Sequence, residues 1–147
     1  EVEYAKGYLT IQKMRYKDKL EFEIDVEPSI LNIPLIKLVL QPIIENAIYH
    51  GLKYKESKGL LQVKGFMKDG NAVLQVIDNG VGMDEETLSH IYDKHKVNYH
   101  SNGVGVYNVQ KRLKLYYGEN YGITYESEKG VGTTATITIP GIQEESI

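Results

Sequence analysis

Three Gly-Val-Gly triplets, Gly80-Val81-Gly82, Gly103-Val104-Gly105 and Gly130-Val131-Gly132, hold six of the chain's fourteen glycines. They constrain the fold more than any other feature, because paired glycines form tight loops that interrupt regular helix or strand. The sequences around them differ, so they are separate loops and not a repeat. The first follows an apolar strand, the second opens a helix, and the third joins two strands.

Periodicity assigns the segments between them. Residues 1–16 place Val2, Ala5, Leu9 and Met14 among charged positions, which predicts an amphipathic helix. Leu20, Phe22, Ile24 and Val26 alternate with Glu21, Glu23 and Asp25, the pattern of a half-buried strand. Pro28 and Asn32-Ile33-Pro34 read as a connection into a long helix running to about Tyr54. Ile36, Leu40, Ile43 and Ala47 lie on one face of it, and Asn46, Tyr49, His50 and Lys53 on another. Pro42 inside that helix predicts a bend and a lost backbone hydrogen bond. Leu61 to Met67 alternates up to Asp69-Gly70-Asn71, and Val73 to Ile77 continues as the second strand of a hairpin. A short helix around Asp84 to Tyr92 and an aperiodic polar stretch from Asp93 to Asn102 follow. A helix from about Gly105 to Tyr117 precedes two strands, Ile123 to Ser127 and Thr133 to Ile139. This order predicts an α+β two-layer sandwich with helices on one sheet face.

Composition narrows the function. A chain of 147 residues fits one domain burying roughly two-thirds of its unfolded surface. Its net charge of −3, from 17 basic and 20 acidic residues, argues against nucleic acid or a membrane surface as partner. With no cysteine, disulfides, thiolate metal sites and thiol nucleophiles are excluded. No stretch resembles a signal peptide or a spanning helix. The abrupt helical start reads as a piece of a longer protein.

Four places can carry chemistry. Leu74-Gln75-Val76-Ile77-Asp78 runs into Asn79-Gly80-Val81-Gly82-Met83. A strand-end carboxylate can accept a hydrogen bond from an amine such as adenine's, Gly82 lets a flat ring approach the backbone, and Met83 can pack on it. A strand-end Asp before a tight turn is the plain alternative. Asn102-Gly103-Val104-Gly105-Val106 opens a helix, whose free amides and dipole suit phosphate, although a loop-to-helix junction with no ligand is the more common case. It lacks the third glycine of a dinucleotide fingerprint, and no P-loop motif exists in the chain. Glu45, Asn46 and His50 cluster on the long helix, where the Asn oxygen suits magnesium completed by phosphates and water; a solvated helix face is the alternative. His90, His95 and His100 have no ligand spacing and read as surface. Thr133, after Gly130-Val131-Gly132, can complete a polar pocket, and a simple hairpin explains it nearly as well.

Taken in order, these motifs resemble the ATP-binding catalytic domain of sensor histidine kinases, in the superfamily shared with type II topoisomerases, heat-shock chaperone ATPases and mismatch-repair ATPases. Leu40-Gln41-Pro42-Ile43-Ile44-Glu45-Asn46-Ala47-Ile48-Tyr49-His50-Gly51 is similar to the asparagine box of the LytS-like and YesM-like two-component subfamily. Asp78, Gly80 and Gly82 match the first glycine box, Gly103 and Gly105 the second, and Gly132-Thr133 the closing motif. Asn108-Val109, Arg112-Leu113 and Tyr117-Gly118 also match.

The resemblance implies a Bergerat ATP-binding fold over residues 17–147, with a mixed, mostly antiparallel sheet and an ATP lid from Asp93 to Asn102. Residues 1–16 would end a dimerisation helix. Asn46 would hold Mg²⁺, with Glu45 and His50 beside it as catalytic candidates. Asp78 would hold the adenine amine in a site shared with Gly80, Gly82 and Met83. Gly103, Val104, Gly105 and Val106 would close over phosphates, and Thr133 would back the adenine. The implied activity is transfer of the ATP γ-phosphoryl to a histidine on a dimerisation hairpin outside this chain, for relay to a response regulator. The implied setting is a homodimer whose cytoplasmic catalytic domain belongs to a membrane-anchored sensor. A hydrolytic ATPase and a nucleotide-gated interaction module are the rival readings. Pro42 stands where the ATPase branches place a water-activating Glu, and proline offers no base. Tyr49 stands where many relatives carry Lys or Arg.

Overall fold

The structure is a computed structural model and describes residues 2–16, 19–31, 33, 35, 39–48, 58–89 and 103–141. Among these, the elements follow as α1 (Val2–Tyr16), β1 (Leu20–Val26), α2 (Pro28–Leu31), α3 (Leu40–Asn46), β2 (Gly59–Lys68), β3 (Asn71–Asp78), α4 (Glu85–Ser89), α5 (Gly103–Tyr117), β4 (Gly122–Glu128) and β5 (Gly132–Pro140). The five strands form one sheet in the order β1-β2-β3-β5-β4. β1 runs parallel to β2 and the remaining pairs are antiparallel. A parallel pair needs a crossover, and the chain between β1 and β2 contains α2 and α3. The mixed, mostly antiparallel sandwich is therefore observed. At the β2–β3 hairpin Asp69 and Gly70 both take positive φ, 53° and 81°, the primed turn that matches strand twist.

The pleat decides which side chains meet the helices. Leu61 and Val63 of β2, Leu74 and Val76 of β3, and Ala135 and Ile137 of β5 are buried. They meet Ala5 and Leu9 of α1, Leu40, Ile43 and Ile44 of α3, and Val106, Val109 and Leu113 of α5 in one core. Each large side chain fully withdrawn from water contributes roughly 1.5–3 kcal/mol. The opposite sheet face mixes half-exposed Gln62, Lys64, Thr134, Thr136 and Thr138 with apolar Leu60, Phe66, Val73 and Ile77. Gln75 Nε2 donates to Thr136 Oγ1 across two of its strands, at 3.3 Å. At the sheet edge Lys13 Nζ donates to Leu20 O (3.0 Å) and to the Glu21 carboxylate (2.7 Å), tying α1 to β1. Hydrogen bonds from Lys13 and Lys58 hold the Glu21 carboxyl below the usual range.

Three expectations change. Met14 is 74% exposed, because it lies five residues beyond Leu9 and so turns about 140° from the core-facing line through Ala5 and Leu9. Residues 28–31, read as a connection, form the short helix α2, with Pro28 in its first position and Ile30 buried. The long helix opens at Leu40 with Val39 as its N-cap, not near Pro34, which lies outside the described residues. Pro42 then falls in the first turn, where an N–H has no partner within the helix. It removes no intrahelical hydrogen bond, and the expected bend has no cause. The continuation to Tyr54, the end of the short helix to Tyr92 and the Asp93–Asn102 stretch also lie outside the described residues.

Candidate nucleotide site

Two polar side chains are buried among the described residues, Asn46 at 6% exposure and Asp78 at 5%. Burying a polar group is costly unless something pairs with it, so two such groups at one place need a common explanation. Both face one pocket, about 340 Å³ when counted out to its open mouth.

Each wall follows from local structure. The last turn of α3 supplies Ile43 and Asn46, three residues apart on one side, and its C-cap Ala47 joins them in the lining. β3 supplies Val76 and Asp78 by its period of two, and β5 supplies Thr133 and Ala135. In the register Leu61 pairs with Asp78, Asp78 with Thr133, and Thr133 with Ser127, so these four form one row across the sheet on the helix side. Tyr125 of β4 and the loop residues Gly82 and Met83 close the pocket. Its lining is mainly apolar, with polar side chains at a few points, which suits a flat aromatic ring.

The loop after β3 is fastened at several points. Gly80 N–H donates to Asp78 Oδ1 at 2.9 Å, fixing that carboxylate at the strand end. Leu60 N–H donates to Asn79 Oδ1 at 2.7 Å, and Asn79 N–H to Leu60 O at 3.2 Å. Gly130 N–H donates to Val81 O at 2.7 Å. Met83 N–H donates to Ser127 Oγ at 2.8 Å, and that oxygen lies 2.7 Å from Thr133 Oγ1. Gly82 has φ +69°, and an added Cβ would collide with the Glu128 carbonyl. Gly82→Ala should therefore displace the loop, lowering stability by roughly 1–3 kcal/mol and weakening nucleotide binding about tenfold or more. Gly7→Ala serves as the contrast, since nothing lies within 4 Å of that helical position and the change should stabilise by about 0.5–1 kcal/mol. Urea unfolding of both variants, with calorimetry on Gly82→Ala, checks this.

The structure thus gathers Asn46, Asp78, Gly82, Met83 and Thr133 around one pocket, with Gly80 bonded to Asp78. The burial of Asn46 sets aside the solvated-face alternative. Other candidates stand apart. Glu45 does not line the pocket, and its carboxylate accepts from Gln41 Nε2 at 3.0 Å on its own helix. Gly103, Val104 and Gly105 form the first turn of α5. The Val106 side chain is in the core at 0% exposure, leaving its backbone for any phosphate contact. His50, His90, His95 and His100 lie outside the described residues. Tyr125, Ser127 and Asn79 were not read from the sequence as part of the site. The available signal for Ser127 was a small hydroxyl residue continuing the inward positions Ile123 and Tyr125.

Residues 32–143 match the family described as histidine kinase-, DNA gyrase B- and HSP90-like ATPases. The chain belongs to this ATPase family. Nucleotide binding follows from that membership. The chain is 32% identical to the sensor histidine kinase YesM of Bacillus subtilis over 140 residues, covering 95% of this chain and 23% of YesM. It is 34% identical over 122 residues to the sensor protein LytS of Oceanobacillus iheyensis, covering 82% of this chain and 21% of that one. It thus spans less than a quarter of the length of these relatives. Among solved structures, the catalytic domain of histidine kinase ThkA superposes with a TM-score of 0.70 at 14% identity, covering 93% of this chain and 90% of that one. The mycobacterial sensor histidine kinase MprB gives 0.60 at 18%, covering 91% and 90%. These likenesses show the fold of histidine kinase catalytic domains. Among the described residues no helix is long and apolar enough to cross a membrane.

Proposed function

We propose that this ATPase-family domain is the ATP-binding catalytic domain of a two-component sensor histidine kinase. The observation that carries the reading is the pair of buried polar groups, Asn46 and Asp78, facing one largely apolar pocket. Asp78 accepts a hydrogen bond from the adenine amine, and Met83 and the apolar lining pack against the ring. Thr133, across the β3–β5 register from Asp78, backs the same edge. Gly80 and Gly82 shape the loop around the base, and the backbone amides of Gly103 to Val106 at the start of α5 hold phosphates.

Mg²⁺ fits the donor set at Asn46. The side-chain amide is buried, lines the pocket, and makes no hydrogen bond to a described residue. A neutral oxygen there, with phosphates and waters, is the ligand set this ion takes without an all-protein cage. When bound, the ion neutralises charge on the transferring phosphoryl group. The protein's own part is placement: Asn46 fixes the polyphosphate end and Asp78 the base, so the γ-phosphoryl is presented in a fixed direction. Pro42, one helical turn before Asn46, supplies no base to activate water, which favours transfer to a bound acceptor.

The acceptor is a histidine on a dimerisation hairpin of the longer protein, α1 (residues 1–16) leads from that hairpin, and a response regulator takes the phosphoryl next. The longer protein is a homodimer anchored in the membrane with this domain in the cytoplasm, where ATP is available. A longer chain that includes the upstream hairpin tests the reading. Incubated with ATP and Mg²⁺, it should form acid-labile phosphohistidine. ATP binding without phosphohistidine would favour a nucleotide-gated interaction module, and steady-state ATP turnover without an acceptor would favour a hydrolase.

A further inference from the structure

We infer that Ser127 is a positioning residue for the adenine end of the pocket, holding Met83 and Thr133 through one hydroxyl; the inference rests on the ATP-binding reading above. Ser127 does not itself line the nucleotide pocket, whereas Met83 and Thr133 do. Its Oγ accepts the Met83 N–H at 2.8 Å, lies 3.1 Å from the Gly132 carbonyl oxygen and 2.7 Å from Thr133 Oγ1. A loop residue and a strand residue, forty-four and six positions away, therefore meet on one oxygen.

The valency of that oxygen has a consequence for the ligand. A serine hydroxyl has one hydrogen and two acceptor lone pairs. If Ser127 gives its hydrogen to Gly132 O, Thr133 must donate to Ser127, and the Thr133 oxygen is presented to the pocket as an acceptor. If Ser127 donates to Thr133 instead, the Thr133 hydrogen turns to the pocket as a donor. The two states differ by rotation of two O–H bonds, with no heavy atom moved. The hydrogen-bonding edge of adenine carries both an amine donor and ring-nitrogen acceptors, so an adjustable hydroxyl beside the fixed acceptor Asp78 can serve it directly or through water. Alanine at 127 would leave the half-buried Met83 N–H without its partner and unfasten Thr133 at the same time.

Calorimetric titration with ATP of the wild-type chain, Ser127→Ala and Ser127→Thr, alongside their urea unfolding midpoints, tests this. Ser127→Ala should weaken ATP binding about tenfold, the loss expected for an unmade hydrogen bond at a half-buried group. Ser127→Thr should return to within about threefold of wild type, because the hydroxyl is restored. Should Ser127→Ala not fold, Ser127→Cys, near in size and a poor donor, must show the same loss. ATP affinity of the Ala or Cys variant within about twofold of wild type would overturn the inference. So would equal losses in Ser127→Ala and Ser127→Thr, which would mark a packing role alone. Failure of the wild-type chain to bind ATP would instead overturn the reading of the site itself.

Discussion

Asn46→Ala should lower Mg²⁺-dependent phosphoryl transfer by about a hundredfold while changing adenosine affinity by less than about threefold. The division follows from where the amide sits. Asn46 closes the last turn of α3, whereas Asp78 and Thr133 line the pocket from β3 and β5, so truncating Asn46 leaves the strand wall intact. What the proposed function would lose is the neutral oxygen assigned to the ion-bound phosphates. Misplacing a reacting group by about 1 Å costs on the order of a hundredfold in rate. The alanine also removes a buried amide with no described partner, so the fold should lose little stability. Rates measured with the longer, hairpin-bearing chain, set against adenosine titrations of the domain, separate the two effects. An equal loss of adenosine binding would contradict the phosphate-end role.

Asp78→Asn should weaken ATP binding roughly 10–100-fold with the fold intact. Asp78 Oδ1 already accepts the Gly80 N–H, and the carboxamide oxygen of Asn can keep that bond. The other position changes from an acceptor to an NH₂ donor, which would meet the adenine amine donor to donor. A charge-assisted hydrogen bond contributes about 1.5–3 kcal/mol, and that sets the predicted range. Calorimetry with ATP and with GTP reads the result. The variant should also favour adenine less, because guanine offers a carbonyl acceptor where adenine has its amine. Unchanged ATP affinity would remove Asp78 from the base site.

Much of the fold is legible where burial follows a simple period. Leu20 to Val26 and Leu61 to Met67 alternate because one face of each strand meets helices, and the register confirms their pairing. Asp69-Gly70 announces its turn because few other residue pairs tolerate two positive φ angles in succession. Periodicity failed where an element is too short to complete a period or its boundary depends on the rest of the fold. α2 has four residues, and its signal was Pro28 alone. The start of α3 at Leu40 converts Pro42 from a helix breaker into a first-turn residue, a distinction of position that composition does not carry. Met14 shares the apolar character of Leu9, yet a step of five residues points it to solvent.

The site divides similarly. Asp78, Gly82 and Met83 fall within six residues of sequence, so their place at one pocket could be read locally, and Asn46 stood out as an amide within an apolar run. Ser127 could not be read this way. Its importance comes from a strand pairing that sets it opposite Thr133 and from a loop that returns to it across forty-four residues. Tyr125 enters the pocket through that same pairing of β4 with β5. Glu45 illustrates the converse. It is adjacent to Asn46 in sequence, but about 100° around the helix, and its carboxylate engages Gln41.

The proposed function requires a purine between α3 and the β3–β5 strand ends, with its base on Asp78 and its phosphate tail toward Asn46. A crystal structure of the chain with a non-hydrolysable ATP analogue and Mg²⁺ measures this directly. The expected result is the adenine amine within hydrogen-bond distance of the Asp78 carboxylate and the Asn46 amide oxygen on the ion. An analogue bound in another cavity, or one whose base turns away from Asp78, would contradict it.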